Sequence, residues 1–400
     1  MRPNEAMIRA AAAAAALMLL AISPARAAAA NVAGELGAVR QECIAAAGDV
    51  QLHEQAVAAL EHGSILLERE ADGRQRGLDE SRVEQARLLG MIERVAREPP
   101  DRFGPGWFAG AAERPIDRIR GGLLLRTAVP VLRAEARALA GEIERVATLR
   151  GEIAAKRDAL AAAREALATD REHLAQLVGR RLELTRRLMP EEPGSEAQSA
   201  RLGHDARDVA DLIKRADAAI DRRDKELVAR ARATLPKAAA LSSEAADPTR
   251  PHELRAFDPP HSVLTMPVSG TVSLRFGATD GTAAKSQGLR LAALPGGEVV
   301  AAFDGRVVYA GRFGNLGLIL IMRHGGLYHT LLGVGRVDVK VGQWILAGEP
   351  VGAVPDAVDT ATGTLYVELR RDGRPVDPQT YMAVGDEGRD SEGENRKVRE

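Results

Sequence analysis

The stretch that decides the fold of the N-terminal half runs from Val146 to Val178 and reads VATLRGEIAAKRDALAAAREALATDREHLAQLV. Five large apolar residues recur along it at intervals of seven, namely Val146, Ile153, Leu160, Leu167 and Leu174. An alanine directly follows each of them, and arginines recur with the same spacing at 150, 157, 164 and 171. A seven-residue apolar repeat among strong helix formers predicts a coiled coil. We interpret the paired large and small residues as its packing stripe and the arginines as a solvated flank.

This helix needs a partner, because a lone helix would leave its apolar stripe in water. The chain from Glu35 to about Arg97 is also rich in helix formers. It is interrupted by Pro99 and Pro100 and by a cluster of glycine, proline and three of the chain's twelve aromatic residues, which predicts a turn. We therefore expect an antiparallel coiled-coil hairpin over residues 28–189, with its tip at about 99–127.

Residues 1–27 predict an export signal. Arg2 and Arg9 precede an apolar run from Ala10 to Ile22, and the small-x-small pattern Ala25-Arg26-Ala27 is typical of a cleavage site. The run has about 13 residues, fewer than the roughly 20 that a spanning helix needs. The alternative is an uncleaved membrane anchor.

Residues 190–261 predict a third helix followed by a linker. The helix, expected from about Ala197 to Thr234, has an apolar face formed by Val209, Leu212, Ile213, Ala216 and Ile220. It could add a layer to the coiled coil or cover the following domain. Residues 236–260 are rich in Ala, Ser and Pro, which is typical of a linker.

Residues 262–383 have a different composition from the rest of the chain. Nine of the twelve aromatic residues lie beyond residue 250, and short stretches of β-branched residues alternate with turn signals. This pattern predicts a compact antiparallel sandwich or barrel. The polar residues 384–400 predict a disordered tail. The net charge of −1 argues against nucleic-acid binding, and the single cysteine, Cys43, excludes an internal disulfide.

Five motifs of this domain resemble, in order, the LytM-type zinc peptidases, which cleave peptidoglycan cross-bridges. They are GTVSLRFG (270–277), VAAFDGRVVYAG (300–311), GNLGLILIMRHG (314–325), VGQWILAG (341–348) and LYVELRRDGRPVDP (365–378). The resemblance covers nearly the whole domain. It implies an all-β LytM-type fold, the duplicated hybrid motif, behind the α-helical coiled coil.

The residues on which that chemistry depends are replaced. Where the active family has His-x-Gly-hydrophobic-Asp, this chain has Ser286-Gln-Gly-Leu-Arg290. Tyr366 stands at the third zinc histidine and Val334 at a further catalytic histidine. Zinc catalysis needs three protein ligands and an open position, so the resemblance implies no metal, no cofactor and no catalytic residue. We expect Ser286, Arg290, Val334 and Tyr366 to line a partner-binding groove instead; an active endopeptidase is the disfavoured alternative.

An exported coiled coil joined to such a domain is similar to the murein hydrolase activators of the EnvC type. The resemblance implies a non-catalytic periplasmic protein that activates an N-acetylmuramoyl-L-alanine amidase during septal wall splitting. It also implies that the coiled coil binds the periplasmic part of the FtsE-FtsX division complex and that the third helix covers the groove and autoinhibits it. Peptidoglycan is a further candidate partner. The alternative is a peptidoglycan-binding or envelope scaffold protein that activates no amidase.

Overall fold

The computed structural model describes residues 24–97, 115–189, 195–234, 247, 249–251, 253–259, 261–279, 285–357 and 362–382. Four predictions therefore lie wholly or mainly outside the described residues: the export signal, the turn at the hairpin tip, the first half of the linker and the tail. None of the helices in these ranges is both long and apolar enough to cross a membrane.

The two long helices of the coiled coil are present as α1, Pro24–Arg97, and α2, Pro115–Leu188. The second begins earlier than expected, so residues 115–127 of the predicted tip are helical. The chain divides into two compact units, one formed by residues 56–165 and the other by residues 1–55 together with 166–400. Each unit contains a part of both helices.

Within the unit of residues 56–165 the helices are antiparallel. Arg164 pairs with Glu61 at 2.6 Å, Arg157 with Glu68 at 2.8 Å, and Arg150 donates to Gln75 at 3.1 Å. The residue numbers of the partners on α1 increase by seven as those of the arginines on α2 decrease by seven, as they must for antiparallel helices. The predicted arginine flank therefore faces carboxylates and an amide of the other helix, on an exposed surface where ion pairs stabilise a fold only slightly.

The prediction that the alanines form part of the packing stripe is wrong. Val146 and Ile153 are buried, but Ala147, Ala154 and Ala161 are exposed. The second partly buried position of each heptad lies three residues after the large one, at Leu149, Lys156 and Ala163. Two positions three apart share a helix face, whereas neighbours one apart point about 100° away from each other.

The predicted third helix is two helices, α3 (Ser195–Asp205) and α4 (Val209–Thr234). The break falls at residues 206–208. The Asp208 carboxylate accepts a hydrogen bond from the Asp211 backbone N–H at 2.8 Å, which satisfies one of the free donors at the start of α4. A short polar side chain at a helix start thus divides an otherwise continuous helical sequence.

The C-terminal domain is antiparallel and all-β, as predicted. Its strands are β1 (Gly270–Leu274), β2 (Leu289–Ala293), β3 (Glu298–Val300), β4 (Gly305–Arg312), β5 (Leu318–His324), β6 (Tyr328–Gly333), β7 (Arg336–Val337), β8 (Trp344–Ile345), β9 (Pro350–Ala353), β10 (Gly363–Arg371) and β11 (Arg374–Val376). An eight-stranded sheet has the order β1-β2-β10-β6-β5-β4-β8, with β11 beside β10, and a second sheet has the order β3-β9-β7. The main core contains buried apolar residues of both sheets, such as Leu291 and Leu365 from the large sheet and Val299 and Val351 from the small one. The other face of the large sheet, here called the outer face, is therefore free to carry a separate apolar cluster.

Part of the predicted linker belongs to the β-domain. Phe257 is buried in the main core, with its ring 5.0 Å from that of Phe303 and 4.8 Å from that of Tyr328. The neighbouring Arg255 makes an ion pair with Asp304 at 2.9 Å. The domain therefore begins before residue 262, because an aromatic side chain buried in the core is part of the folded unit.

The ends of α1 and α2 that lie in the larger unit pack on the β-domain through a buried ion cluster, formed by Arg40, Arg181 and Glu349. Arg40 Nε lies 3.2 Å and Arg181 Nη1 3.7 Å from the Glu349 carboxylate, and all three side chains are at most 3% exposed. Arg181 also donates to the carbonyl oxygens of Pro350 and Asp338, at 2.8 and 2.9 Å. The helices and the β-domain thus share a charged contact that the sequence did not predict.

Candidate functional site

The outer face of the large sheet is covered by α4. Its apolar cluster consists of Val308 and Tyr309 on β4, Ile319 and Ile321 on β5 and Leu331 on β6. The helix places Leu212, Ile213, Ala216 and Ile220 on this cluster, each at most 4% exposed, with Val209 half-buried at the margin. All five residues of the predicted regulatory helix face therefore lie together. The sequence allowed this helix to pack on the coiled coil or on the following domain. In the structure its apolar face packs on the domain.

Tyr366 borders this cluster. It lies on β10, where its cross-strand neighbours are Arg290 on β2 and Gly333 on β6. The side chain is half-buried and packs against the apolar cluster under α4. Its hydroxyl donates to Glu368 Oε2 at 2.8 Å. Burial, reinforced by the neighbouring Glu368 charge, raises the pKa of the Tyr366 hydroxyl, so it stays protonated and donates to Glu368 as a neutral group.

Arg290 and Ser286 complete a patch with Tyr366. Arg290 is half-buried beside Tyr366 in the strand register. The Ser286 hydroxyl donates to the Gly288 carbonyl at 2.8 Å. A Cβ on Gly288 would overlap the Val367 carbonyl oxygen and lie 3.0 Å from the Tyr366 ring, so this glycine lets β10 approach the backbone that carries Ser286. The structure thus brings three of the four predicted groove residues together.

Val334, the fourth, is not part of this patch. It is 3% exposed and packs in the main core. Its backbone N–H donates to Leu318 O at 2.9 Å, which continues the sheet beyond β6. An apolar β-branched side chain at this position is more stable in the core than at a solvent-facing groove, and the prediction that it lines a groove is wrong.

The two histidines on the strands of the domain, His324 and His329, make separate hydrogen bonds. His324 is fully buried between the Asp304 carbonyl and the Thr330 hydroxyl, at 2.9 and 2.7 Å, and burial lowers its pKa to about 4. His329 Nε2 lies 2.9 Å from Asp217 of α4. Among the described residues there is no group of three or more His, Cys, Asp or Glu side chains that could hold a metal ion.

Sequence reasoning missed a basic row on the outer face, formed by Arg306 on β4, Arg323 on β5 and His329 on β6. These residues are direct cross-strand neighbours of one another. They contact Asp217, Asp221 and Asp224 of α4. The spacing of these three aspartates on a predicted helix was a visible signal, but their partners become evident only once the strand register is known.

Residues 284–378 match the model of Peptidase family M23. The chain is 32% identical over 124 residues to the murein hydrolase activator EnvC of Escherichia coli, which covers 31% of this chain and 30% of that protein. It is 32% identical over 134 residues to the murein hydrolase activator NlpD of the same organism, covering 31% and 32%. A solved structure, Helicobacter pylori Csd3, aligns with a TM-score of 0.27 and 22% identity over 31% of this chain and 36% of the other.

The chain spans about a third of the length of the curated relatives it matches. The residues that match the family model, 284–378, lie within the β-domain. From the motifs, the antiparallel fold and the family model together, the β-domain of this chain resembles M23, or LytM-type, domains, and the chain is similar in part to the murein hydrolase activators EnvC and NlpD.

Proposed function

We propose that this protein is a non-catalytic periplasmic activator of a peptidoglycan amidase, acting when the septal wall is split. The relatives of the β-domain are named activators of murein hydrolases. Ser286 and Tyr366 are not zinc ligands of the kind the family uses, and the Arg290 guanidinium would repel a cation.

The observation that carries the proposal is the helix α4 on the outer face of the M23 domain. Four apolar residues of α4 are buried on the outer face of the sheet. Tyr366 packs against the same apolar cluster. It stands where the peptidases that this domain resembles have a zinc-binding histidine. A helix held by a modest apolar area can be displaced by another helix with higher affinity. In this proposal α4 keeps the domain inactive, and the amidase binds the face that α4 leaves.

The coiled coil supplies the regulation. In the proposal it binds the periplasmic part of the FtsE-FtsX complex. The buried ion cluster then connects any movement of the α1 and α2 ends in the larger unit to the β-domain, since Arg40 and Arg181 contact Glu349 directly. Peptidoglycan is a further candidate ligand of the same chain.

The test is amidase activity on purified sacculi with the full chain and a released variant. The double substitution Leu212→Asp and Ile213→Asp should increase activation, because both charges would otherwise be buried without partners. Leu227→Asp is the matched control, since Leu227 is on the same helix and 39% exposed. Protein alone should release no wall fragments.

Equal activation by wild type, the released variant and the control would exclude autoinhibition by α4. Binding of sacculi without any change in amidase activity would favour the scaffold alternative. Chelator-sensitive wall cleavage by the protein alone would show that it is an enzyme.

A further inference from the structure

The basic row lies across three adjacent strands of the outer face. Arg306 is the cross-strand partner of Arg323, and Arg323 is the partner of His329. The next strand continues the row, because His329 is opposite Arg370 on β10. Basic side chains directly opposite one another in a sheet are destabilising unless countercharges accompany them. The source of those countercharges therefore determines which ligand this face accepts.

Arg370 has its countercharge on its own strand. Its guanidinium contacts Glu368, which is 2% exposed and also accepts the Tyr366 hydroxyl. The other three residues contact α4. Asp224 binds Arg306 through both oxygens, at 2.6 and 2.9 Å. Asp217 binds His329 at 2.9 Å.

Arg323 lies between two carboxylates of α4, those of Asp221 at 3.2 Å and Asp217 at 3.4 Å. Arg306 has a second carboxylate, Asp247, at 3.9 Å. The side chains of Arg306 and His329 are each 5% exposed and that of Arg323 is 20% exposed. The two guanidinium groups have little access to water, so much of their charge compensation comes from the carboxylates of the helix that covers them.

The three aspartates have the spacing i, i+4 and i+7 and so lie along one side of α4. The apolar line of Ile213, Ala216 and Ile220 runs beside them. The helix therefore presents two parallel lines to the sheet, one apolar and one acidic. The sheet presents the complement, an apolar cluster beside a basic row.

We infer that the basic row is a carboxylate-binding site that selects the helix occupying the outer face. The ligand class is an amphipathic helix with acidic residues at i, i+4 and i+7 beside an apolar line. In this chain α4 is the resident ligand. The inference rests on the proposed function in one respect: the amidase segment that displaces α4 has the same acidic pattern.

The physical reason is the penalty for an unpaired charge in a place with little water. A displacing helix with the right apolar residues but no carboxylates would leave Arg323 covered without its countercharges, and would leave Arg306 with only the more distant Asp247 carboxylate at 3.9 Å. The bidentate Arg306–Asp224 contact adds a geometric requirement, since a planar guanidinium fixes where the carboxylate must lie. A wall polymer could supply carboxylates but not the apolar line, so the observations favour a helix.

The first experiment measures α4 in the full chain by native-state hydrogen exchange of the amides of residues 212–220. The variant Asp217→Asn, Asp221→Asn and Asp224→Asn removes the three charges with little change in shape. We expect exchange at least tenfold faster than in wild type, and a smaller ratio in 1 M NaCl because salt screens partly exposed pairs. Glu226→Gln is the control, an exposed carboxylate on the same helix. Exchange rates equal to those of the control would overturn the inference.

The second experiment measures binding of a purified amidase to the full chain released by Leu212→Asp and Ile213→Asp. Adding Arg323→Gln should weaken binding at least tenfold, while Arg374→Gln, at an exposed position on β11, should not. Arg323 is suitable because its ion pairs within the described part of the chain are with α4 alone. Circular dichroism checks that both variants fold.

The outcomes separate the inference from the proposed function. If the released chain binds amidase equally well with and without the Arg323→Gln substitution, the inference is overturned and the proposed function stands. If the released chain does not bind amidase at all, the proposed function fails, and the hydrogen-exchange result decides the role of the row. Loss of sacculus binding with amidase binding unchanged would indicate a wall ligand and would also overturn the inference.

Discussion

At the scale of single residues, the β-domain places Tyr366, Glu368 and Arg370 in one hydrogen-bonded group on β10. Tyr366 donates to Glu368, a carboxylate buried at 2% exposure. Arg370 binds the same carboxylate from the same strand. A buried carboxylate needs such partners, because its desolvation is otherwise uncompensated. In the folded domain Tyr366 and Arg370 therefore stabilise a buried carboxylate.

Tyr366 should contribute to amidase binding through its ring. In the released background, Tyr366→Ala is expected to weaken binding by roughly 2 kcal/mol, as loss of an aromatic anchor at the centre of an interface does. Arg290→Glu should weaken it as well. The control Tyr366→Phe keeps the ring and should preserve binding, although loss of one hydrogen bond to a buried charge should reduce stability by about 1.5–3 kcal/mol. The measurements are amidase activation and urea unfolding. Normal activation by both Tyr366→Ala and Arg290→Glu would place the partner surface elsewhere.

Glu298 should make the stability of the protein depend on pH. Burial, with the nearby Asp338 charge, raises its pKa from 4.5 to about 8. The folded state therefore binds a proton that the unfolded state releases above pH 4.5. The stability that the folded state gains from this protonated carboxyl is fully present below about pH 4.5, and it decreases as pH rises towards 8.

We expect the free energy of unfolding to decrease by a few kcal/mol, on the order set by a shift of this size, as pH rises from 5 to 8. Urea titrations at several pH values measure it. Glu298→Gln should flatten this slope, while Glu253→Gln, at an exposed position, should leave it unchanged. An equal slope in wild type and Glu298→Gln would show that Glu298 is ionised in the folded state.

At the scale of secondary-structure elements, the coiled coil shows which positions of a repeat carry the packing. The repeat of large apolar residues predicted the buried positions correctly at Val146, Ile153, Leu167 and Leu174. The alanine repeat one residue later is exposed. It contributes helix propensity, since alanine is the strongest helix former.

The neighbouring pair Ile153 and Ala154 tests this assignment. Ile153→Ala should reduce the free energy of unfolding by about 2–4 kcal/mol, because it removes buried methylene groups from the contact between α1 and α2. Ala154→Gln keeps a good helix former at an exposed position and should change stability little. Urea unfolding followed by circular dichroism compares them. A larger loss from Ala154→Gln than from Ile153→Ala would mean that the alanines do form the helix contact.

At the scale of the whole molecule, residues far apart in sequence form the contact between the long helices and the β-domain. The Arg40 guanidinium donates to Trp344 O at 2.9 Å across 304 positions of sequence. Arg181 and Glu349 are completely buried. Burial raises the pKa of Glu349 above its ordinary value, and the charges of Arg40 and Arg181 offset only part of this increase. Breaking such a cluster by removing one partner is costly, because it leaves a buried charge behind.

Arg181 and Arg180 provide a matched comparison of buried and exposed arginines. Arg181→Met should destabilise the larger unit by roughly 3–5 kcal/mol, since Glu349 and two carbonyl groups lose a partner. Arg180→Met removes an exposed pair with Glu35 and should have no resolvable effect. Calorimetry or urea unfolding measures both. Adding Glu349→Gln to Arg181→Met should recover part of the loss. Equal effects of the two arginine substitutions would mean that the buried ion cluster does not stabilise the contact.

The sequence by itself determined the elements whose signals are local. Heptad spacing predicted the second long helix and composition the first. The alternation of short strands and turns, with the five motifs, predicted the antiparallel LytM-type domain. The apolar face of α4 was also visible, because residues at helical spacing share a side whatever lies opposite. These properties depend only on neighbours along the chain.

Only the tertiary structure decided where those elements meet. The placement of α4 on the outer face, the burial of Val334 and the insertion of Phe257 into the core depend on long-range packing. So do the buried ion cluster and the basic row, whose members lie on different strands. Charged residues are mostly exposed, and those that are fully buried are paired. Which charged residues pair with one another depends on strand register and on how the chain reverses. A periodic pattern along one segment does not contain this information.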